Sequence, residues 1–135
     1  MLVPIREEGY HVFVEIKANG FPVRMLLDTG ASRTVFDLAE LKIIHSDIEM
    51  EENEDLATGL GSNQVQNFIA SINEIQVGAF KLKEYSVGVL DLAHVNISYR
   101  HIGVEGIAGV LGSDILMYFR AVISYKDGMV TLYKP

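Results

Sequence analysis

Apolar and polar positions alternate most clearly near the start of the chain. Val12, Val14 and Ile16 interleave with His11, Phe13, Glu15 and Lys17, the period of two expected of a strand. Asn19-Gly20 follows, a dipeptide that readily supplies the positive φ angles of a tight hairpin turn. A second strand is predicted from about Phe21 to Leu27. Pro22 has no N–H to donate and belongs at its start or on its open side. This strand runs into Asp28-Thr29-Gly30-Ala31-Ser32.

Beyond it, Thr34 to Ile44 has mixed apolar spacing and fits a short helix or a strand. Glu49 to Asp55 holds five acids and reads as a solvated segment. Thr58-Gly59-Leu60-Gly61-Ser62-Asn63, with β-prone Val65, Phe68, Ile69 and Ile72 behind it, reads as a hairpin tip. Another hairpin follows, Ile75 to Val77, a turn at Gly78, then Phe80 to Leu90. Residues 91–106 are irregular, a loop with a short helical piece. Gly109-Val110-Leu111-Gly112 is a small apolar run, and Ser113 is placed to N-cap a short helix from Asp114 to about Phe119. Ala121 to Ser124, a Lys126-Asp127-Gly128 turn and Met129 to Tyr133 make a closing hairpin.

The halves echo one another faintly. Each has a glycine-centred hairpin (Gly20, Gly78), then an apolar run ending near a glycine (Gly30, Gly112) and a polar residue before a helix. Many short strands with two or three short helices describe a mostly-β domain, a closed or partly closed barrel.

Composition narrows the function. The 135 residues fit one domain, 1–135, large enough to bury a core, and 49% hydrophobic with 21% charged is globular composition. A formal charge of −7 repels phosphate backbones and anionic lipid, so neither nucleic acid nor membrane is an expected partner. The absence of cysteine removes disulfides, thiolate metal sites and cysteine nucleophiles. Met-Leu-Val-Pro-Ile-Arg-Glu-Glu lacks the basic and apolar regions of a signal peptide. The expected location is the cytoplasm, with a leader already removed as the alternative.

Asp28 is the candidate for chemistry. It stands where an apolar strand meets a tight turn, and a carboxylate there is costly unless hydrogen-bonded or paired. Thr29 and Ser32 carry hydroxyls within reach of it, and Gly30 lets the backbone turn sharply. An ordinary turn uses the same residue types. The histidines (His11, His45, His94, His101) are scattered and form no His-Glu-x-x-His, and no Gly-x-Ser-x-Gly is present. The acidic cluster lacks calcium-loop spacing, so no metal is expected. Gly59-Leu60-Gly61 lacks the Lys-Ser/Thr of a phosphate loop. An aspartyl-phosphate mechanism lacks both a lysine after Asp28 and a second suitable aspartate.

Leu26-Leu27-Asp28-Thr29-Gly30-Ala31-Ser32 resembles the signature of retropepsin-like (retroviral-type) aspartic proteases, most of all their small bacterial members. The resemblance extends from about residue 10 to 133. It includes the preceding hairpin at Ala18-Asn19-Gly20, a glycine-tipped flap at Gly59-Leu60-Gly61, and an apolar-apolar-glycine element leading into a helix, Val110-Leu111-Gly112-Ser113-Asp114. It implies a mostly-β, acid-protease-type closed barrel with one or two short helices, a flap hairpin and one lobe per chain. It also implies a homodimeric aspartic endopeptidase without cofactor, acting on an extended peptide. Asp28 would be catalytic, Thr29, Gly30, Ala31 and Ser32 its support, and Gly59, Leu60 and Gly61 the flap on the substrate. The family's equivalent of Thr29 bonds across the dimer, and that of Ser32 supports the carboxylate. Only one Asp-Thr-Gly is present, so a second copy of the chain must complete the pair. Asp114 reads as a helix-start residue. Retroviral enzymes usually carry a basic residue where Ser113 stands, which implies a weaker or differently built dimer. The alternative reading is a catalytically idle dimer of the same fold that binds peptides or regulates.

Overall fold

The computed structural model describes residues 1–52 and 67–135. Its strands are β1 (Leu2–Glu8), β2 (His11–Ala18), β3 (Phe21–Leu27), β4 (Val35–Asp37), β5 (Met50–Glu52), β6 (Phe68–Val77), β7 (Phe80–Leu90), β8 (Gly109–Leu111), β9 (Val122–Ser124) and β10 (Met129–Thr131). The helices are α1 (Leu38–Ile44), α2 (Ala93–His101) and α3 (Ser113–Tyr118).

The hairpin between β2 and β3 forms as its sequence dictates, with Asn19 at φ 50° and Gly20 at φ 84°. Val23, Met25 and Leu27 point inward from β3, and Val14, Ile16 and Ala18 from β2. Pro22 pairs with Lys17 at the strand's start, where no strand among the described residues flanks its other side, because β8 joins β3 only from Met25 onward. Phe13 departs from the simple alternation. It lies on the opposite face from Val14 and is equally buried, because Tyr99 of α2 packs edge-on against it at 5.7 Å. Both faces of β2 are therefore covered at this point.

The barrel closes in the order β2-β3-β8-β4-β7-β6 and back to β2. The closing seam is short, Lys17 with Gln76 and Ala18 with Ile75, and it is fastened at the β2–β3 turn. There Asn19 donates its N–H to Glu74 O (2.8 Å), and its Oδ1 accepts from Glu74 N (3.0 Å). The interior holds Ile16, Met25, Phe36, Ile72, Ile75, Val87 and Leu111, all almost fully buried. Parallel and antiparallel pairings alternate in a way that interlocks the halves. β8 lies between β3 and β4, parallel to β3 and antiparallel to β4, while β4 runs parallel to β7. At the crossing, a Cβ on Gly109 would come 2.2 Å from Val35 O, so only glycine permits this approach.

The echo between halves is present in this topology, with different partners from those suggested by the glycines. β3 corresponds to β7, and β4 with α1 corresponds to β8 with α3. The position matching Gly112 is therefore Asp37, each residue serving as the N-cap of the helix that comes after it. Thr34–Ile44 contains both of the elements that its spacing fits, β4 and then α1. Three helices lie in the described residues, one more than the family resemblance implied. α2, within the irregular stretch 91–106, makes the difference.

β1 was not legible. Pro4 and the Arg6-Glu7-Glu8 run break its alternation, yet it pairs with β2 through Ile5–Glu8 and with β10 through Leu2–Pro4. The turn joining β1 to β2 places Gly9 and Tyr10 at φ 57° and 64°. The flap residues Gly59, Leu60 and Gly61 lie outside the described residues.

Candidate active site

Asp28 leaves the end of β3 half-buried, with Thr29 and Gly30 exposed beyond it. Its carboxylate is held locally, since Oδ1 accepts the Gly30 N–H at 2.8 Å. Its backbone N–H continues the ladder toward β8, donating to Leu111 O at 3.1 Å. A tight turn then closes with Ala31 N donating to Asp28 O at 3.2 Å. The sequence suggested hydroxyl support from Thr29 and Ser32. The described bond to the carboxylate comes instead from a backbone amide, and the Ser32 side chain is exposed.

The Asp28 loop is then locked to the β8–α3 turn by three bonds. Ser113 N donates to Ala31 O (2.7 Å), Ser113 Oγ donates to Thr29 O (2.8 Å), and Gly112 N donates to Thr34 Oγ1 (3.1 Å). By residue type Ser113 should cap α3. The helix instead begins at Ser113 with Gly112 as its N-cap, and the freed hydroxyl binds the Asp28 loop. The turn fits only because residue 112 is glycine. A Cβ there would stand 2.8 Å from both Ala31 O and the Arg33 carbonyl carbon.

Asp114 has more to do than start a helix. Its Oδ1 accepts from the buried Thr34 hydroxyl (2.8 Å), and its Oδ2 accepts from Tyr85 OH on β7 (2.8 Å). Thr34 is thus the hub: its hydroxyl accepts from the Gly112 amide and donates a hydrogen bond to Asp114. Burial, reinforced by the Asp114 carboxylate, raises the Tyr85 phenol well above its ordinary pKa. Beside this hub, Arg33 donates to Ser86 Oγ at 2.8 Å, tying the Asp28 loop to β7 a second time. Sequence reasoning missed the hub because Thr34, Tyr85 and Asp114 lie far apart in the chain. The one available signal was an acid directly after the Gly112-Ser113 pair.

On the outer face of β3, Leu26 pairs with Val110 and packs with Phe13 and Tyr99 in a second apolar cluster. Arg24 lies 3.8 Å over the Phe13 ring and pairs with Glu8 at 3.3 Å. Burial raises the Tyr99 phenol pKa. Nearby Arg24 lowers it and Asp28 raises it further. The Asp28 end of β3 is therefore backed by a packed apolar wall, which keeps the strand from shifting beneath the carboxylate.

Comparison with known proteins agrees with this geometry. A family model described as aspartyl protease matches residues 14–115. No curated protein matches the sequence. Among solved structures, a retropepsin-like aspartic protease from Rickettsia conorii superposes with a TM-score of 0.62 at 15% identity, covering 98% of this chain and 88% of that one. The EIAV protease complexed with the inhibitor HBY-793 gives 0.61 at 21% identity, covering 88% and 97%. The retroviral protease-like domain of Ddi1 from Leishmania major gives 0.57 at 12%, covering 89% and 86%. At these identities the structures establish the fold, and the family match runs from within β2 through the Asp28 loop and the β8–α3 turn. The chain belongs to the aspartyl protease family, and its fold is the retropepsin-like one.

Proposed function

We propose that this protein is a homodimeric aspartic endopeptidase in which two Asp28 side chains, one from each chain, activate a water for peptide hydrolysis. The observation that carries the reading is the clamped loop. Asp28 sits at the open end of a barrel strand, and its loop is fixed by the three bonds to the β8–α3 turn. That bracing holds a carboxylate rigidly at a surface, which catalysis needs and a plain turn does not.

The chemistry derives from pairing. Two carboxylates about 3 Å apart share one proton, as in aspartic protease dyads generally. The ionised partner takes a proton from the bound water, and the protonated partner gives one to the carbonyl oxygen of the scissile peptide. The resulting gem-diol collapses as its nitrogen is protonated, and neither a metal nor a covalent intermediate is required. The two titrations belong to the pair. Each chain carries one Asp-Thr-Gly, so the active unit contains two chains. The EIAV protease was solved with an inhibitor bound, in keeping with a peptide-binding cleft in this fold. Substrate in such a cleft is extended, bonding through its main chain like an added strand. Gly59, Leu60 and Gly61 are proposed as the flap that closes over it.

The test is cleavage of a denatured protein between pH 4 and 7, wild type against Asp28→Asn, at several enzyme concentrations. Cutting by wild type alone, with specific activity rising with concentration, is the expected result. No cutting by a wild type shown to be dimeric would refute the proposal.

A further inference from the structure

α2 is the helix that the family resemblance did not imply, and it carries Tyr99 back to the Asp28 end of the barrel. In the pairing of β2 with β3, Phe13 stands opposite Leu26. Continued by two residues, that register sets His11 beside Asp28, about one strand spacing of 5 Å away. Tyr99 covers this corner. Its ring lies edge-on to His11 at 5.5 Å and to Phe13 at 5.7 Å. Arg24 and Asp28 are the two charges that bear on its phenol.

The corner has a donor and an acceptor to spare. Tyr99 is only 6% exposed, yet its hydroxyl donates to no described residue. A tyrosine so buried ordinarily gives its O–H a partner. Acceptors are short here, since Arg24 Nε is buried without a partner among the described residues as well. Arg24 does not pair with Glu15, its opposite in register. It reaches diagonally over the Phe13 ring to Glu8 Oε2 at 3.3 Å. This draws Glu8, which faces His11 across the β1–β2 pair, into the same corner. Glu8 Oε1 takes no hydrogen bond from any described residue.

These groups select a ligand. A free O–H beside a free carboxylate oxygen matches a primary amide, whose oxygen accepts from the first and whose NH2 donates to the second. A carboxylate would instead meet Glu8 and Asp28 in a chain of formal charge −7. A wholly apolar side chain would cover both groups and leave them unpaired. Leu26 and Val110, half-buried in the cluster with Tyr99, supply an apolar bed for the methylenes that carry the amide.

We propose that Tyr99 sets substrate preference, donating its hydroxyl to the side-chain oxygen of a glutamine or asparagine near the scissile bond while Glu8 accepts from the same amide. The inference rests on Asp28 being the catalytic carboxylate, which makes the ligand a substrate side chain.

The experiment compares kcat/KM on peptides in which each position flanking the cut is varied in turn among Gln, Asn, Glu and Met, for wild type, Tyr99→Phe and the control Tyr125→Phe. Tyr125 is exposed in the turn between β9 and β10, outside this corner. At one position, wild type and the control are expected to favour Gln or Asn over Met and Glu by about tenfold. In Tyr99→Phe, which keeps the ring, the preference over Met should fall to about one. Binding is read separately on Asp28→Asn, from the NMR shift of Tyr99 Cζ as the Gln or the Met peptide is added. The Gln peptide alone is expected to move it. Cutting by wild type without this preference, or a preference that survives in Tyr99→Phe, overturns the role of Tyr99 and leaves the protease reading standing. A wild type that cuts nothing, with a Tyr99 signal that answers only the amide peptide, keeps the subsite and overturns the protease reading. Neither cutting nor a response overturns both.

Discussion

Thr34→Val isolates the hub that joins the Asp28 loop to α3. The substitution keeps the side chain's shape and removes one hydroxyl from a fully buried position. Two bonds go with it: the one accepted from Gly112 N (3.1 Å) and the one donated to Asp114 Oδ1 (2.8 Å). The Gly112 amide is then buried without a partner, at about 1–3 kcal/mol, and loss of the bond to a carboxylate adds about 1.5–3 kcal/mol. Asp114 is half-buried and keeps Tyr85, so water recovers part of the second figure. The net cost is about 2–4 kcal/mol, a large share of the roughly 5–15 kcal/mol that stabilises a domain. With a urea m-value of about 2 kcal/mol/M, the midpoint falls by about 1–2 M at fixed protein concentration. Thr34→Ser, which keeps the hydroxyl, should recover most of it. Because Tyr85 donates to the other oxygen of Asp114, Thr34→Val and Tyr85→Phe should couple by about 0.5 kcal/mol or more in a double-mutant cycle. A midpoint shift under about 0.3 M, or additive single effects, would refute the hub.

Gly112→Ala places a methyl against the backbone at Ala31 and Arg33. The expected outcome is a loss of about 1–3 kcal/mol in urea unfolding, with a drop in turnover larger than stability accounts for, because the displaced segment carries Asp28. Tyr85→Phe should change the alkaline limb of stability. The folded phenol is raised, so the unfolded chain ionises first, near the usual pKa of about 10. The stabilisation from the neutral phenol is complete below that pH and is lost as pH climbs toward the folded value. Unfolding midpoints measured from pH 8 to 11 should therefore fall less steeply in the variant than in wild type.

The parts of the fold legible in the sequence are those written into neighbouring residues. Asn19-Gly20 required a tight turn, and both residues take positive φ. The Ile75–Val77 and Phe80–Leu90 strands pair about Gly78 as their pattern implied, though β6 extends back to Phe68 as one unbroken strand. Hidden features depend on distant partners. β1 has little alternation because its two halves pair with different strands, each imposing its own inner face. Phe13 reads as a solvent-side residue until α2 arrives from far along the chain to cover it. Ser113 has the residue type and place of an N-cap, but the Thr29 carbonyl competes for its hydroxyl. Local rules rank what a residue can bond, and only the tertiary fold supplies the competitor.

The same logic separates Asp28 from the other aspartates. The bond from the Gly30 amide to Asp28 Oδ1 is an ordinary turn, and it recurs at the matching end of β7. There Asp91 Oδ1 accepts from Ala93 N at 2.9 Å, against 2.8 Å at Asp28. Strand, carboxylate and turn are thus present at both ends of the pseudosymmetric barrel. The two differ in the chain beyond the turn. At Asp91 the chain proceeds directly into α2, and the neighbouring Leu92 amide bonds to Asp37 at the head of α1. At Asp28 the chain meets Gly30 and enters an exposed loop, which the β8–α3 turn clamps from below through Ser113, Gly112 and Thr34. One turn ends in a helix and is used up structurally. The other is braced from behind and left open in front, the arrangement that the proposed pairing of two Asp28 side chains requires. Gly30 leaves this loop exposed in the sequence's candidate signature, and the bracing that holds the loop is written some eighty residues later, at Gly112-Ser113-Asp114.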